Sequence, residues 1–364
     1  MQDKAKILFI VDHLQGGGAE IMTLNLAQKL QERGYDISLL LLENKNNFDH
    51  ITESFKTFSL NVPADFSRGK LLVNKTLDKN TQSRLSDIIN NLKPDYIIVT
   101  IWYAFNLLPY LKEYKVKVWA QADLLPPFNK TYNPLKTLRN YYKNNIFKRN
   151  FIRLMANQEI ITLNKDLEYK YLSLLNNSSV HIVRNGIPSL DDNSSLPKEW
   201  DLCFVGRLSP SKQVEHALIA FSQSSLIGKM VIVGDGARKE KLKKIAIKLK
   251  IIDRIDFIGW SSDTSYYIRK SKLLLLPSLT EGYPLVIGES LMNNTPVLAY
   301  NCSEGVASQF YTEDMKRGLV HLNDIHALKL AINNLIKEPY HIPEDIYLRY
   351  SLDTMADHFI KLLN

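Results

Sequence analysis

The chain has 364 residues, 45% apolar and 23% charged, with 46 lysines and arginines against 38 acids and a net charge of +8. That length suits two ordinary domains, and no apolar run approaches the roughly 18 residues that a membrane span needs. Two cysteines, Cys203 and Cys302, exclude a disulfide framework or a structural zinc site and suit a reducing cytoplasm, while the positive balance calls for an anionic partner without choosing nucleic acid, anionic lipid or a nucleotide-linked substrate.

In chain order, I-L-F-I-V (7–11) predicts a first strand rather than a signal peptide, and it leads into a Gly-rich turn. A helix is expected over roughly 19–33, where Ile21, Leu24, Leu26, Ala27 and Leu30 recur on one side and Arg33-Gly34 ends it. Strands follow at 37–42, 96–100 and 116–120. Residues 154–163 run a helix end into a further strand, and V-H-I-V (180–183) continues the series. Strands apolar on both faces, alternating with helices, predict a parallel sheet covered by helices. The polar stretch 188–198 reads as a linker. The pattern then restarts with a strand and turn at 200–208, a helix near 213–224, a strand and turn at 230–236 and a helix at 237–250. Strands at 255–259, 273–277 and 296–300 complete it. The expected fold is α/β: two doubly wound domains with a cleft between them.

Three stretches carry candidate chemistry. D-H-L-Q-G-G-G-A-E (12–20) follows the first strand and opens the first helix. Gly16, Gly17 and Gly18 let backbone approach a ligand, and a helix start favours an anion. The alternative is a plain tight turn, and neither dinucleotide fingerprint fits. In F-V-G-R-L-S-P-S-K (204–212), Arg207 and Lys212 follow a strand end, where open α/β sheets bind ligands and where cations grip a diphosphate. Two solvated surface charges are the plainer reading. T-E-G-Y-P-L-V-I-G-E-S (280–290) predicts a helix from Pro284, with Glu281 before it and Glu289 inside it. Carboxylates there suit the diols of a ribose or hexose, and the backbone N–H groups of Gly282 to Leu285 suit a phosphate. Glu281 as a helix cap is the alternative, and it leaves Glu289 unexplained.

Lesser features are V-R-N-G-I-P (183–188), a structural turn, and V-G-D-G (233–236), a strand-end turn that could border a nucleotide. Residues 128–153 hold Lys130, Lys136, Arg139, Lys143, Lys148, Arg149 and Arg153 with no acid, interleaved with Phe128, Tyr132, Tyr141, Tyr142, Phe147 and Phe151. This segment is expected on an anionic membrane surface, the alternative being a basic surface helix with its aromatics packed inward.

Together these motifs resemble the retaining glycosyltransferases of family 4, which have the two-domain GT-B architecture. The resemblance spans nearly the whole chain. It rests on G-G-G-A-E (16–20), N-G-I (185–187), F-V-G-R-L-S-P-S-K (204–212), V-G-D-G-A-R-K-E-K-L (233–242), F-I-G-W (257–260) and L-P-S-L-T-E-G-Y-P-L-V-I-G-E-S-L (276–291), whose Glu281 and Glu289 match the family's E-x7-E signature. It implies an acceptor-binding domain at 1–187, a nucleotide-sugar domain at 188–345, and a closing helix at 346–364 that returns to the first domain.

The resemblance further implies that Arg207, Lys212 and Glu281 are catalytic, the cations holding a diphosphate and Glu281 the sugar hydroxyls. Glu289 would take the ribose. Gly16, Gly17, Gly18, Gly234, Gly259, Trp260, Gly282, Tyr283, Pro284 and Leu285 would complete the donor site. No metal and no cofactor are expected, since no D-x-D is suitably placed. The expected reaction moves a hexose or N-acetylhexosamine, UDP-linked, to a lipid-linked or cell-surface polysaccharide precursor in a bacterial cytoplasm, at the inner face of the membrane. Relatives often carry a histidine where this chain has Trp102 and Tyr103, and A-Q-A-D (120–123) keeps only the acid, so His13, Trp102 and Asp123 are the acceptor candidates. A GT-B epimerase and a non-catalytic subunit that binds a glycoprotein are the alternatives. Nucleic-acid binding is disfavoured by the glutamate pair.

Overall fold

The computed structural model describes residues 5–15, 17–63, 65–67, 75–125, 134–188 and 196–363. The chain forms two compact units, Met1–Gly186 with Leu352–Asn364, and Ile187–Ser351.

The first unit is built on seven strands: β1 (Lys6–Val11), β2 (Asp36–Leu41), β3 (Lys56–Ser59), β4 (Tyr96–Thr100), β5 (Val116–Trp119), β6 (Glu159–Thr162) and β7 (Ser179–Ile182). They pair in parallel throughout, in the order β3-β2-β1-β4-β5-β6-β7. In β1 and β2 every residue after the first is buried, the continuous apolar signature of a sheet covered on both faces. Strand order reverses between β1 and β4, so the loops after those two strands diverge there. The strand β3 escaped sequence reading because K-T-F-S sits at the sheet edge, exposed or half-buried, with no apolar run to mark it.

The C-terminal helix Leu352–Leu363 completes this unit. It buries Met355, Ala356, Phe359 and Leu363, and Phe359 meets Trp119 edge-on at 4.9 Å. Arg33, at the end of the helix Gly18–Glu32, binds Asp353 at 2.8 Å and Asp357 at 2.6 Å. Tyr96 of β4 donates a hydrogen bond to the Leu363 carbonyl.

The second unit contains β8 (Trp200–Val205), β9 (Met230–Val233), β10 (Ile255–Gly259), β11 (Ser271–Leu276), β12 (Val297–Tyr300) and β13 (Leu319–Val320). The order is β10-β9-β8-β11-β12-β13, again all parallel. Two Rossmann-like parallel-sheet domains are therefore present, the expected fold class. Most of the expected linker, residues 189–195, lies outside the described residues.

The segment 346–364 divides between the two units. The short helix Ile346–Tyr350 belongs to the second, because Ile346 and Tyr350 are buried there and the Tyr350 hydroxyl donates to Gln309 Oε1 at 3.0 Å. Only Leu352–Leu363 returns to the first. Ile187 and Ser351, the two ends of the second unit, bridge one another, and Ile187 N donates to the Tyr350 carbonyl at 2.7 Å.

Candidate functional site

In the second unit the loops after β8 and β9 run against each other backbone to backbone. Gly206 N donates to the Val233 carbonyl at 3.0 Å, Leu208 N to that of Asp235 at 2.9 Å, and Gly234 N to that of Gly259 at 2.6 Å. Gly234 has φ +137°, and a Cβ there would lie 2.0 Å from the Gly206 oxygen. A side chain is excluded at Gly234, and its N–H bond to the Gly259 carbonyl holds the ends of β9 and β10 together. Arg207 emerges from this seam exposed: its carbonyl accepts from Ser209 N at 2.9 Å, while no hydrogen bond or ion pair engages its guanidinium among the described residues.

Lys212 ends a one-turn 3-10 helix, Pro210–Lys212. Its Nζ donates to Glu281 Oε1 at 2.6 Å, and both side chains are largely covered, at 24% and 11% exposure. Leu279 N, in the loop after β11, donates to the Ser211 carbonyl at 2.7 Å and fastens that loop to the Lys212 turn. The predicted cation and the first predicted glutamate thus meet from strand ends that are neighbours in the sheet.

The helix after this loop is Leu285–Met292, with Pro284 at its N-cap and no side-chain cap. Glu281 therefore does not cap it; its carboxylate is directed to Lys212. The helix start is held by Gln309, whose Nε2 donates to the Gly305 carbonyl at 2.8 Å and to that of Pro284 at 3.4 Å. Gly288 lets the helix lie close against Ile187 and Tyr350, where a Cβ would meet their side chains at 2.5 and 2.6 Å. Glu289 follows. It is half-buried, no hydrogen bond reaches its carboxylate among the described residues, and burial raises its pKa to about 7. Tyr283 and Pro284 are buried, Leu285 is half-buried, and Gly282 and Trp260 are exposed.

Cys302, just past β12, is a neighbour that sequence reasoning missed. Burial and, second, the Glu281 carboxylate push its thiol pKa up. Nothing in its local sequence marks it, because the proximity arises from sheet order.

In the first unit, Gly17 is the N-cap of the helix Gly18–Glu32; Gly16, expected at the donor site, lies outside the described residues. The residues that converge here are acids. Asp12, at the end of β1 and 3% exposed, accepts from Tyr103 N at 3.0 Å and Ala104 N at 2.6 Å. Burial raises its pKa to about 6, against the pull of those two backbone bonds. Glu20, 6% exposed, accepts from Gln15 N at 2.5 Å and pairs with His13 Nδ1 at 3.2 Å. Ile101, after β4, has φ +68°, a strained value for a β-branched residue, and it leads the chain into Trp102, Tyr103 and the Asp12 contacts. Gln121 Nε2 donates to Thr100 Oγ1 at 2.9 Å and to Thr23 Oγ1 at 3.1 Å.

Of the acceptor candidates, His13 is thus joined to Glu20, Trp102 sits half-buried on the strained turn, and Asp123 is engaged by Lys170 at 2.6 Å. Sequence reasoning missed Asp12 and Glu20. The available signal was an acid directly after a fully apolar strand. Among the described residues no group of three or more His, Cys, Asp or Glu could hold a metal ion. No described helix is long and apolar enough to cross a membrane.

A family profile, "Glycosyl transferases group 1", matches residues 189–349. An uncharacterized glycosyltransferase of Haemophilus influenzae is 26% identical over 352 residues, 94% of this chain and 92% of its own. The lipopolysaccharide 1,6-galactosyltransferase of Escherichia coli is 28% identical over 177 residues, 46% of this chain and about half, 49%, of its own. HepE of Anabaena, solved with UDP and glucose, superposes with a TM-score of 0.75 over 99% of both chains at 15% identity, so the fold is of the GT-B kind.

Proposed function

We propose, from the premise that residues 189–349 form a glycosyl transferases group 1 domain and that the chain is therefore a transferase, that it moves a hexose or N-acetylhexosamine from a UDP-linked donor to a glycan with retention of anomeric configuration. The observation that carries this reading is the Lys212–Glu281 pair at 2.6 Å, with Arg207 exposed beyond the end of the strand that precedes Lys212. Arg207 and Lys212 take the diphosphate, whose charge grows as its bond to the sugar C1 breaks. Glu281 accepts from sugar hydroxyls and Glu289 from the ribose. The acceptor hydroxyl attacks C1 on the face the diphosphate leaves, and its proton passes to the departing phosphate oxygen. No metal is needed, because the two cations supply the positive charge.

HepE's capture with UDP and glucose supports the choice of nucleotide, and the E. coli galactosyltransferase supports a lipopolysaccharide or other surface-polysaccharide acceptor. Thermal-shift screening of sugar nucleotides tests the donor, since a ligand at a hundred times its Kd adds about 2.7 kcal/mol to stability. A UDP-sugar is expected to raise the melting temperature with chelator present. Lys212→Ala is expected to fold, to lose that shift, and to lose turnover by at least about a hundredfold. Near-normal turnover of that variant, or dependence on a divalent cation, overturns the assignment.

A further inference from the structure

We propose that the helix Pro134–Met155 docks on an anionic lipid surface through its outward face. The helix has two apolar faces. The inner one is spent on the core of the first unit: Phe151, Leu154 and Met155 are buried in it, with Phe147 and Ile152 packed alongside. The outer one is largely exposed among the described residues. Leu138, Tyr142 and Ile146, spaced one turn apart, are 55%, 64% and 57% exposed, and Tyr141 beside them is 54% exposed. A helix that merely covers a core presents polar residues there. Arg139, Lys143, Lys148, Arg149 and Arg153 are all exposed around and beyond this stripe, with no ion pair among the described residues, and the 22 residues contain no acid. Residues 128–133, the start of the basic segment, lie outside the described residues.

Charge complementarity selects the occupant. A second copy of this face would bring like charges together, whereas an anionic bilayer takes both parts: the cations meet headgroups and the tyrosines, leucine and isoleucine enter the headgroup–acyl boundary. The Tyr141 and Tyr142 rings stand edge to face at 6.5 Å, an amphipathic pair with apolar bodies and polar tips.

The test is co-sedimentation of the purified chain with phosphatidylcholine vesicles, with and without one-third phosphatidylglycerol. Binding is expected only to the anionic vesicles and is expected to weaken with salt. Lys143→Gln with Arg149→Gln should lower partition roughly thirtyfold, about fivefold for each cation removed. Tyr142→Ser with Ile146→Ser should lower it roughly tenfold or more at unchanged charge. All four side chains are exposed, so thermal melts of both variants should match the parent. Failure to bind anionic vesicles, or retention of binding by both variants, overturns the proposal. So does a dimer in solution that the Tyr142/Ile146 variant makes monomeric, or a polyanion such as single-stranded RNA outcompeting the vesicles. Donor-dependent melting shifts are read separately, so failure here is distinguishable from failure of the transferase reading.

Discussion

At the scale of single residues, the most consequential group is Glu289, an acid inside the apolar helix Leu285–Met292. Its pKa is 4.5 in an ordinary setting and about 7 in the fold, because burial disfavours the charged form. Between those values the native chain holds a proton that the unfolded chain has lost, so this residue's contribution to stability falls as pH rises from 4.5 towards 7 and is flat above. Asp12, raised from 3.8 to about 6, adds to the fall over the lower part of that range. Glu289→Gln is therefore expected to stabilise the chain at pH 8 by about 3 kcal/mol at most and to have little effect near pH 4, while weakening donor binding. Urea denaturation at the two pH values checks this, and equal destabilisation at both removes the account. The residue types of this site were legible in sequence: two acids around an apolar turn, two cations after a strand. Their pairing was not, because Lys212 and Glu281 are 69 residues apart and meet only through the adjacency of β8 and β11. Asp12 was illegible for the same reason, since the backbone donors that hold it come from the turn after β4.

At the scale of elements, the contact between the loops after β8 and β9 decides where Arg207 stands. Gly234→Ala would place a methyl group 2.0 Å from the Gly206 oxygen at φ +137°, which no side-chain motion relieves. It is expected to cost about 3 kcal/mol. Gly282→Ala is the matched control, because its Cβ would meet nothing within 4 Å, and it should stay within about 0.5 kcal/mol of the parent. Comparable losses in the two chemical melts would show that the seam is not tight. The buried strands were legible because a sheet covered on both faces leaves continuous apolar runs such as L-L-L-L. Edge strands β3 and β13 were not, since a short pairing at the margin buries too little to leave a pattern.

At the scale of the molecule, the chain leaves its first unit at Gly186 and comes back to it at Leu352. The return helix is structural to that unit: Phe359 is fully buried and packed on Trp119. Phe359→Ala should lower its stability by about 3–5 kcal/mol, and ending the chain at Ser351 should leave the first unit with an open apolar face. Near-UV circular dichroism and solubility of the shortened chain check this; native spectra would refute it. In sequence, Ile346 and Tyr350 carry the same amphipathic look as the helix that follows, and only their neighbours in the fold distinguish them. The same arrangement sets an order of assembly on the ribosome. The half of the chain made first waits for residues made after the second unit, so that unit is synthesised whole while the first still lacks a wall of its core. During that interval Trp119 and its surroundings stand open, and the nascent first unit is the part most in need of chaperone cover.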